Sequence, residues 1–153
     1  MRTFIHSYSA EVIMAGLTAS IMAQVIKCLI YSIIRKPVNF RTLVHTGGMP
    51  SAHSAVVACM ATSAGLLEGF GSTLFAVTLG FALIVMHDAA GLRRAAGRMA
   101  GILNRLTEDI YLDRQDQVPD RLRELLGHTP FEVIVGALFG VLVAYLYHWK
   151  MAG

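Results

Sequence analysis

Residues 10–34 read AEVIMAGLTASIMAQVIKCLIYSII, 25 positions interrupted only by Glu11, Gln24 and Lys27. At about 1.5 Å per residue this segment exceeds the roughly 30 Å hydrocarbon core of a bilayer. A secretory signal has a shorter apolar region followed by a small-residue cleavage site, so the segment reads as a retained helix. Three further apolar stretches follow: Ala52 to Leu67, Ser72 to Met86 and Phe131 to Trp149. The middle two are short and must borrow flanking residues. They read as two spans joined by the turn Glu68-Gly69-Phe70-Gly71, the alternative being one re-entrant hairpin. Composition agrees: 55% of the 153 residues are hydrophobic and 15% charged, whereas soluble domains are about one-quarter charged. The expectation is a single all-α integral-membrane domain over 1–153, with helices near 10–34, 51–68, 72–94 and 130–149.

The polar connections set the expected orientation. Arg35 to Pro50 carries Pro37, Gly47, Gly48 and Pro50, and the longer Gly91 to Gly127 is rich in charge. Within the surface segment, about 95–127, Met99, Ile102, Leu103, Leu106 and Ile110 recur at helical spacing, interleaved with Arg98, Arg105 and Asp109. That pattern predicts an amphipathic helix on the membrane surface. Beyond Pro119, Leu122, Leu125 and Leu126 predict a second short helix. Ten of the 13 Lys and Arg residues lie in these two connections. The positive-inside rule therefore puts both connections in the cytoplasm and both termini outside. Setting aside Arg35, Lys36, Arg93 and Arg94 still leaves six against the two of Arg2 and Lys150. The net charge of +3 thus reads as topology and not as nucleic-acid binding. Cys28 and Cys59, both inside apolar runs, give neither a disulfide framework nor a metal motif.

Four polar features carry chemistry. Gly47-Gly48-Met49-Pro50-Ser51-Ala52-His53-Ser54 opens the second helix, with Ser51 as its expected N-cap. A helix N-terminus binds phosphate readily, and His53 in the first turn would lie beside it; a capped helix start with an interfacial histidine is the plainer alternative. Gly127-His128-Thr129-Pro130-Phe131-Glu132-Val133 opens the last helix. His128 and Glu132 are four apart, a spacing at which a carboxylate can fix the imidazole's tautomer. Thr129, Pro130 and Glu132 equally predict a capping box, and the two readings are compatible. Arg93-Arg94, where the third helix leaves the membrane, suit bidentate phosphate binding or an ordinary cytoplasmic helix end. Lys27, with Gln24, is an intramembrane charge that costs roughly 2.5–3.5 kcal/mol on insertion scales, either snorkelling to the interface or serving function. In the expected topology all four features meet at one face of the bilayer. Gly136 and Gly140 supply a small-xxx-small step for close helix packing, although glycine is common in membrane helices.

These motifs resemble the type 2 phosphatidic acid phosphatase superfamily, which is related to vanadium-dependent haloperoxidases. Pro50-Ser51-Ala52-His53 resembles its Pro-Ser-Gly-His motif, and His128-Thr129-Pro130-Phe131-Glu132-Val133 with Gly136 resembles the end of its Arg…His-xxx-Asp motif. The runs GGMPSAHS, DAAGLRRAAG and LGHTPFEV together resemble more closely its divergent branch of small membrane proteins. The likeness runs from about Gln24 to Gly140. Ala52 stands where the motif has glycine and Glu132 where it has aspartate. Lys27 and Arg35-Lys36-Pro37 form an irregular first motif, and Arg94 lies 34 residues before His128 in place of a few.

The resemblance implies a metal-free, cofactor-free histidine-nucleophile phosphatase acting on a lipid phosphate monoester or diphosphate. His128 would attack phosphorus, Glu132 would orient it, and His53 would protonate the leaving oxygen. Lys27, Arg35, Ser51 and Arg93 or Arg94 would hold the phosphate oxygens. Membrane lipids are the expected partners, nucleic acid is not, and a homodimer fits four helices that bury little of one another. A bacterial inner membrane is the expected location. The rival expectations are an inactive protein that binds phosphate or phospholipid headgroups, and an oligomeric transporter.

Overall fold

The computed structural model describes residues 8–34, 49–110 and 128–152. They form α1 (Tyr8–Ile33), α2 (Ala52–Glu68), α3 (Thr73–Ala90), α4 (Leu92–Ile110) and α5 (Pro130–Ala152). The loop at 35–48, the predicted second surface helix around Leu122 to Leu126, and Arg35 lie outside the described residues.

The architecture is an all-α membrane bundle. Among the described residues three helical stretches are long and apolar enough to cross a bilayer: Ser9–Ile33, the stretch beginning at Thr73, and Pro130–Met151. The fourth bundle helix, α2, has 17 residues, or about 25 Å at a helical rise. It sits at the centre, packed by α1, α3 and α5. Gly69, at φ +91°, ends α2 in a conformation that a side chain would oppose. Ser72 then caps α3 by accepting from the Phe75 amide at 3.2 Å. The expected turn is thus a tight hairpin, closed by edge-to-face packing of Phe70 on Phe75.

Burial follows the logic of a lipid solvent. Ala15, Ala19 and Ala23 of α1 are buried at i+4 steps, while Ile13, Leu17, Ile21, Val25 and Leu29 point outward. Among the described residues the largest fully buried side chains are Cys59, Ser51, Ser54 and Ser63. Lipid tails are as apolar as leucine, so helix association in a bilayer relies on close contact between small residues. The tightest contact joins α5 to α2. A Cβ on Gly136 would lie 2.5 Å from the Ser51 carbonyl oxygen, and one on Gly140 would press on the Ala55 backbone.

The third helix differs from its expected span of 72–94. Regular helix stops at Ala90, and Gly91 follows at φ −107°, ψ −70°, away from ideal helical values of about −63° and −42°. Arg93 and Arg94 therefore open α4 and do not close α3. Among the bundle helices α4 packs only on α3. Its Met99, Ile102, Leu103 and Leu106 are all exposed among the described residues, as suits the apolar face of an amphipathic helix.

Candidate functional site

Two helix ends and two helix starts fix the site. Ser51 of α2 meets Glu132 and Gly136 of α5, and Ala55 meets Gly140, so α2 and α5 run in the same direction. Lys27, near the end of α1, acts electrostatically on Glu132 and His128 at the start of α5, so α1 runs against both. The last turn of α3, with His87 and Ala90, lies beside Pro130 across a shared groove. The ends of α1 and α3 and the starts of α2 and α5 therefore gather at one end of the bundle.

At the centre is His128. Its Nδ1 lies 3.2 Å from Glu132 Oε2. The same oxygen accepts the Thr129 amide at 3.0 Å, and the Glu132 amide donates to Thr129 Oγ1 at 3.3 Å. Both readings of this motif hold together: one carboxylate oxygen closes a capping box and anchors an imidazole. An ionised carboxylate can only accept, so the proton of His128 is assigned to Nδ1 and Nε2 keeps its lone pair. The side chain is 3% exposed. Burial pushes its pKa below the ordinary 6.5, opposed chiefly by the hydrogen bond and charge of Glu132. Among the described residues Nε2 is buried without a hydrogen-bond partner. Leaving a buried polar atom unsatisfied costs about 1–3 kcal/mol and is uncommon in folded proteins.

The neighbours are few. The His53 ring, on the first turn of α2, is centred 6.4 Å from that of His128, at 63° to it. Lys27 is 2% exposed on the face that carries Ala15, Ala19 and Ala23, which is a bundle-facing position and not one that snorkels outward from the lipid face. Ser51 is fully buried. Its amide donates to the Glu132 carbonyl at 3.3 Å. Its Oγ accepts from the Ser54 hydroxyl at 3.0 Å and the Ser54 amide at 3.4 Å. The visible work of Ser51 is thus to cap α2 and clasp it to α5.

The structure brings together Lys27, Ser51, His53, His128 and Glu132. Arg35 lies outside the described residues, as do the side chains of Arg93 and Arg94, whose backbone opens α4 immediately after the site end of α3. One contribution escaped the sequence reading: the Ser51–Glu132 main-chain clasp, which no side-chain pattern announces. The approach of Lys27 to Glu132 follows from the expected topology, and Lys27 also continues the i+4 series of buried alanines on α1.

A small helical membrane bundle with an oriented, unpartnered imidazole at one end is the class that these observations define. A family model described as the Divergent PAP2 family matches residues 8–143; the chain belongs to that family. It is 40% identical to the uncharacterized membrane protein YuiD of Bacillus subtilis (strain 168), over 86% of this chain and 89% of the relative. No solved structure gives a significant match.

Proposed function

We propose that the protein is a membrane phosphatase that hydrolyses a lipid phosphate or diphosphate through a phosphohistidine on His128. The observation that carries this reading is the His128 ring, held at Nδ1 by Glu132 and left unpartnered at Nε2. Nε2 attacks phosphorus, the bond from phosphorus to the ester oxygen breaks, and His53 protonates the departing oxygen. His53 then takes a proton from water, which attacks phosphorus and breaks the P–N bond, releasing inorganic phosphate and restoring neutral His128. Lys27, Arg35, Arg93 and Arg94 supply positive charge around the phosphoryl oxygens as charge develops. Ser51 sets the position of the α2 N-terminus, whose positive dipole end favours the same anion. The site faces the cytoplasm and both termini lie outside, on the distribution of basic residues.

A second reading is favoured by the near-complete burial of His128: a membrane protein that binds headgroup phosphate without hydrolysing it. Single-turnover phosphate release from phosphatidic acid and from a polyprenyl diphosphate, in detergent, separates the two. Wild type should release phosphate and trap an acid-labile phosphoenzyme; His128→Ala should do neither. Equal background rates from both proteins would leave only the binding role.

A further inference from the structure

A groove of about 740 Å³ opens between α3 and α5, within the roughly 300–1,000 Å³ usual for small-ligand sites. Leu83, His87 and Ala90 form one wall, and Pro130, Ile134 and Ala137 the other. Both walls are apolar apart from His87, and Leu83 and Ile134 are more than half exposed. The groove arises because α3 and α5 each pack on α2 far more closely than on one another.

We infer that this groove seats the hydrocarbon tail of the phosphorylated lipid whose headgroup is bound at His128, an inference that rests on the phosphatase reading. Nearness to the site selects this occupant. The groove ends at Ala90 and Pro130, and Pro130 is two residues after His128. On α2, Val57 and Ala61 pack towards Ala82 of α3, with Val85 and Met86 around them, and His53 is one i+4 step before Val57. The α2 face that packs on this side of α3 thus leads back to His53. The wall from Pro130 to Leu138 spans about 12 Å of helix, so the groove takes the first part of one chain and leaves the remainder in the bilayer. In lipid, apolar transfer contributes little; the groove acts by aligning the tail and so placing the phosphoryl group.

The test uses the full-length protein in detergent with two walls altered separately, Ala137→Trp and Ala90→Phe. Each should lower kcat/KM for hexadecyl phosphate by about 10–100-fold, the order that substrate misplacement costs, while leaving hydrolysis of water-soluble glycerol phosphate unchanged. In parallel, a hexadecyl phosphate with a photoreactive diazirine on its tail should label Leu83, Ile134 or Leu138 in wild type and in catalytically silent His128→Ala. The same tail on phosphatidylcholine should label outward α1 positions such as Leu17 equally well. Labelling of the groove without hydrolysis by wild type would sustain the tail site and reject the phosphatase reading. Hydrolysis that is indifferent to both substitutions, with labelling spread as for phosphatidylcholine, would overturn the groove and spare the phosphatase. Crosslinks between two protein chains through these walls would assign the groove to a second copy and also overturn it.

Discussion

Gly140→Ala adds one methyl group at the tightest contact in the bundle. Its Cβ would press on the Ala55 carbonyl oxygen, with the Ala55 carbonyl carbon at 2.9 Å and Cα at 3.0 Å. These are backbone atoms of a fully buried residue, so no side-chain rotation can relieve the clash and α5 must move off α2. Overpacking of this kind costs about 1–3 kcal/mol. Against it stands the helix propensity gained by replacing glycine with alanine, about 1 kcal/mol. Because the obstacle is main chain, the upper half of the overpacking range applies, leaving a net loss of about 1–2 kcal/mol. Gly80→Ala on α3 is the matched control, since a Cβ there meets nothing within 4 Å and only the propensity term remains. Unfolding by SDS titration in mixed micelles, followed by circular dichroism, should place Gly140→Ala below wild type and Gly80→Ala at or above it. Equal midpoints for the two variants would refute the argument that α2 and α5 are held by backbone approach.

Three further outcomes concern the site. Glu132→Gln keeps an oxygen for the Thr129 amide but removes the charge beside His128, so the helix should survive while phosphate release falls on the order of 10²-fold or more; an unchanged single-turnover rate would count against His128 as nucleophile. His128 titrates below the 6.5 of an ordinary histidine, so the unfolded state binds more protons as the pH drops below that value. The stability present above pH 6.5 is therefore lost as the pH falls towards the folded value, and SDS-unfolding midpoints of His128→Phe should lack that loss. Lys27→Met exchanges a buried ammonium for an apolar chain of similar length, and should retain helix content while losing about 10²-fold in rate and weakening vanadate binding, if Lys27 stabilises transition-state charge; tight vanadate binding by this variant would remove Lys27 from the phosphate seat.

Much of this was legible because membrane helices announce themselves by length and caps by local spacing. Ser51 as the cap of α2, the capping box of Thr129 and Glu132, and the turn at Gly69 each depend on residues within four positions of one another, and each formed as expected. Arg93 and Arg94 look like an interfacial helix end, whereas Gly91 separates α3 from α4 just before them. The depth of Lys27 and the contact partners of Gly136 and Gly140 depend on which helices face each other. A linear pattern carries that information only weakly.

The same i+4 rows explain why packing and chemistry share one seam. On α1 the row is Ala15, Ala19, Ala23, Lys27; on α2 it is Ser51, Ala55, Cys59, Ser63; on α5 it is Glu132, Gly136, Gly140, Ala144, with His128 one step before. Each row is small along its length and polar at the end nearest the site, and the reversed order on α1 follows from its opposite direction. In a bilayer, small residues let backbones touch and buried polar groups survive only where partners surround them. A row that brings the helices close therefore also brings its polar end-members together, and Glu132 can orient His128 while its carbonyl takes the Ser51 amide. It follows that Gly140→Ala, twelve residues from His128, should slow single-turnover phosphate release in molecules that remain folded, because it shifts the Ser51–Glu132 clasp. Full activity in the folded fraction of that variant would show that the seam and the site are independent.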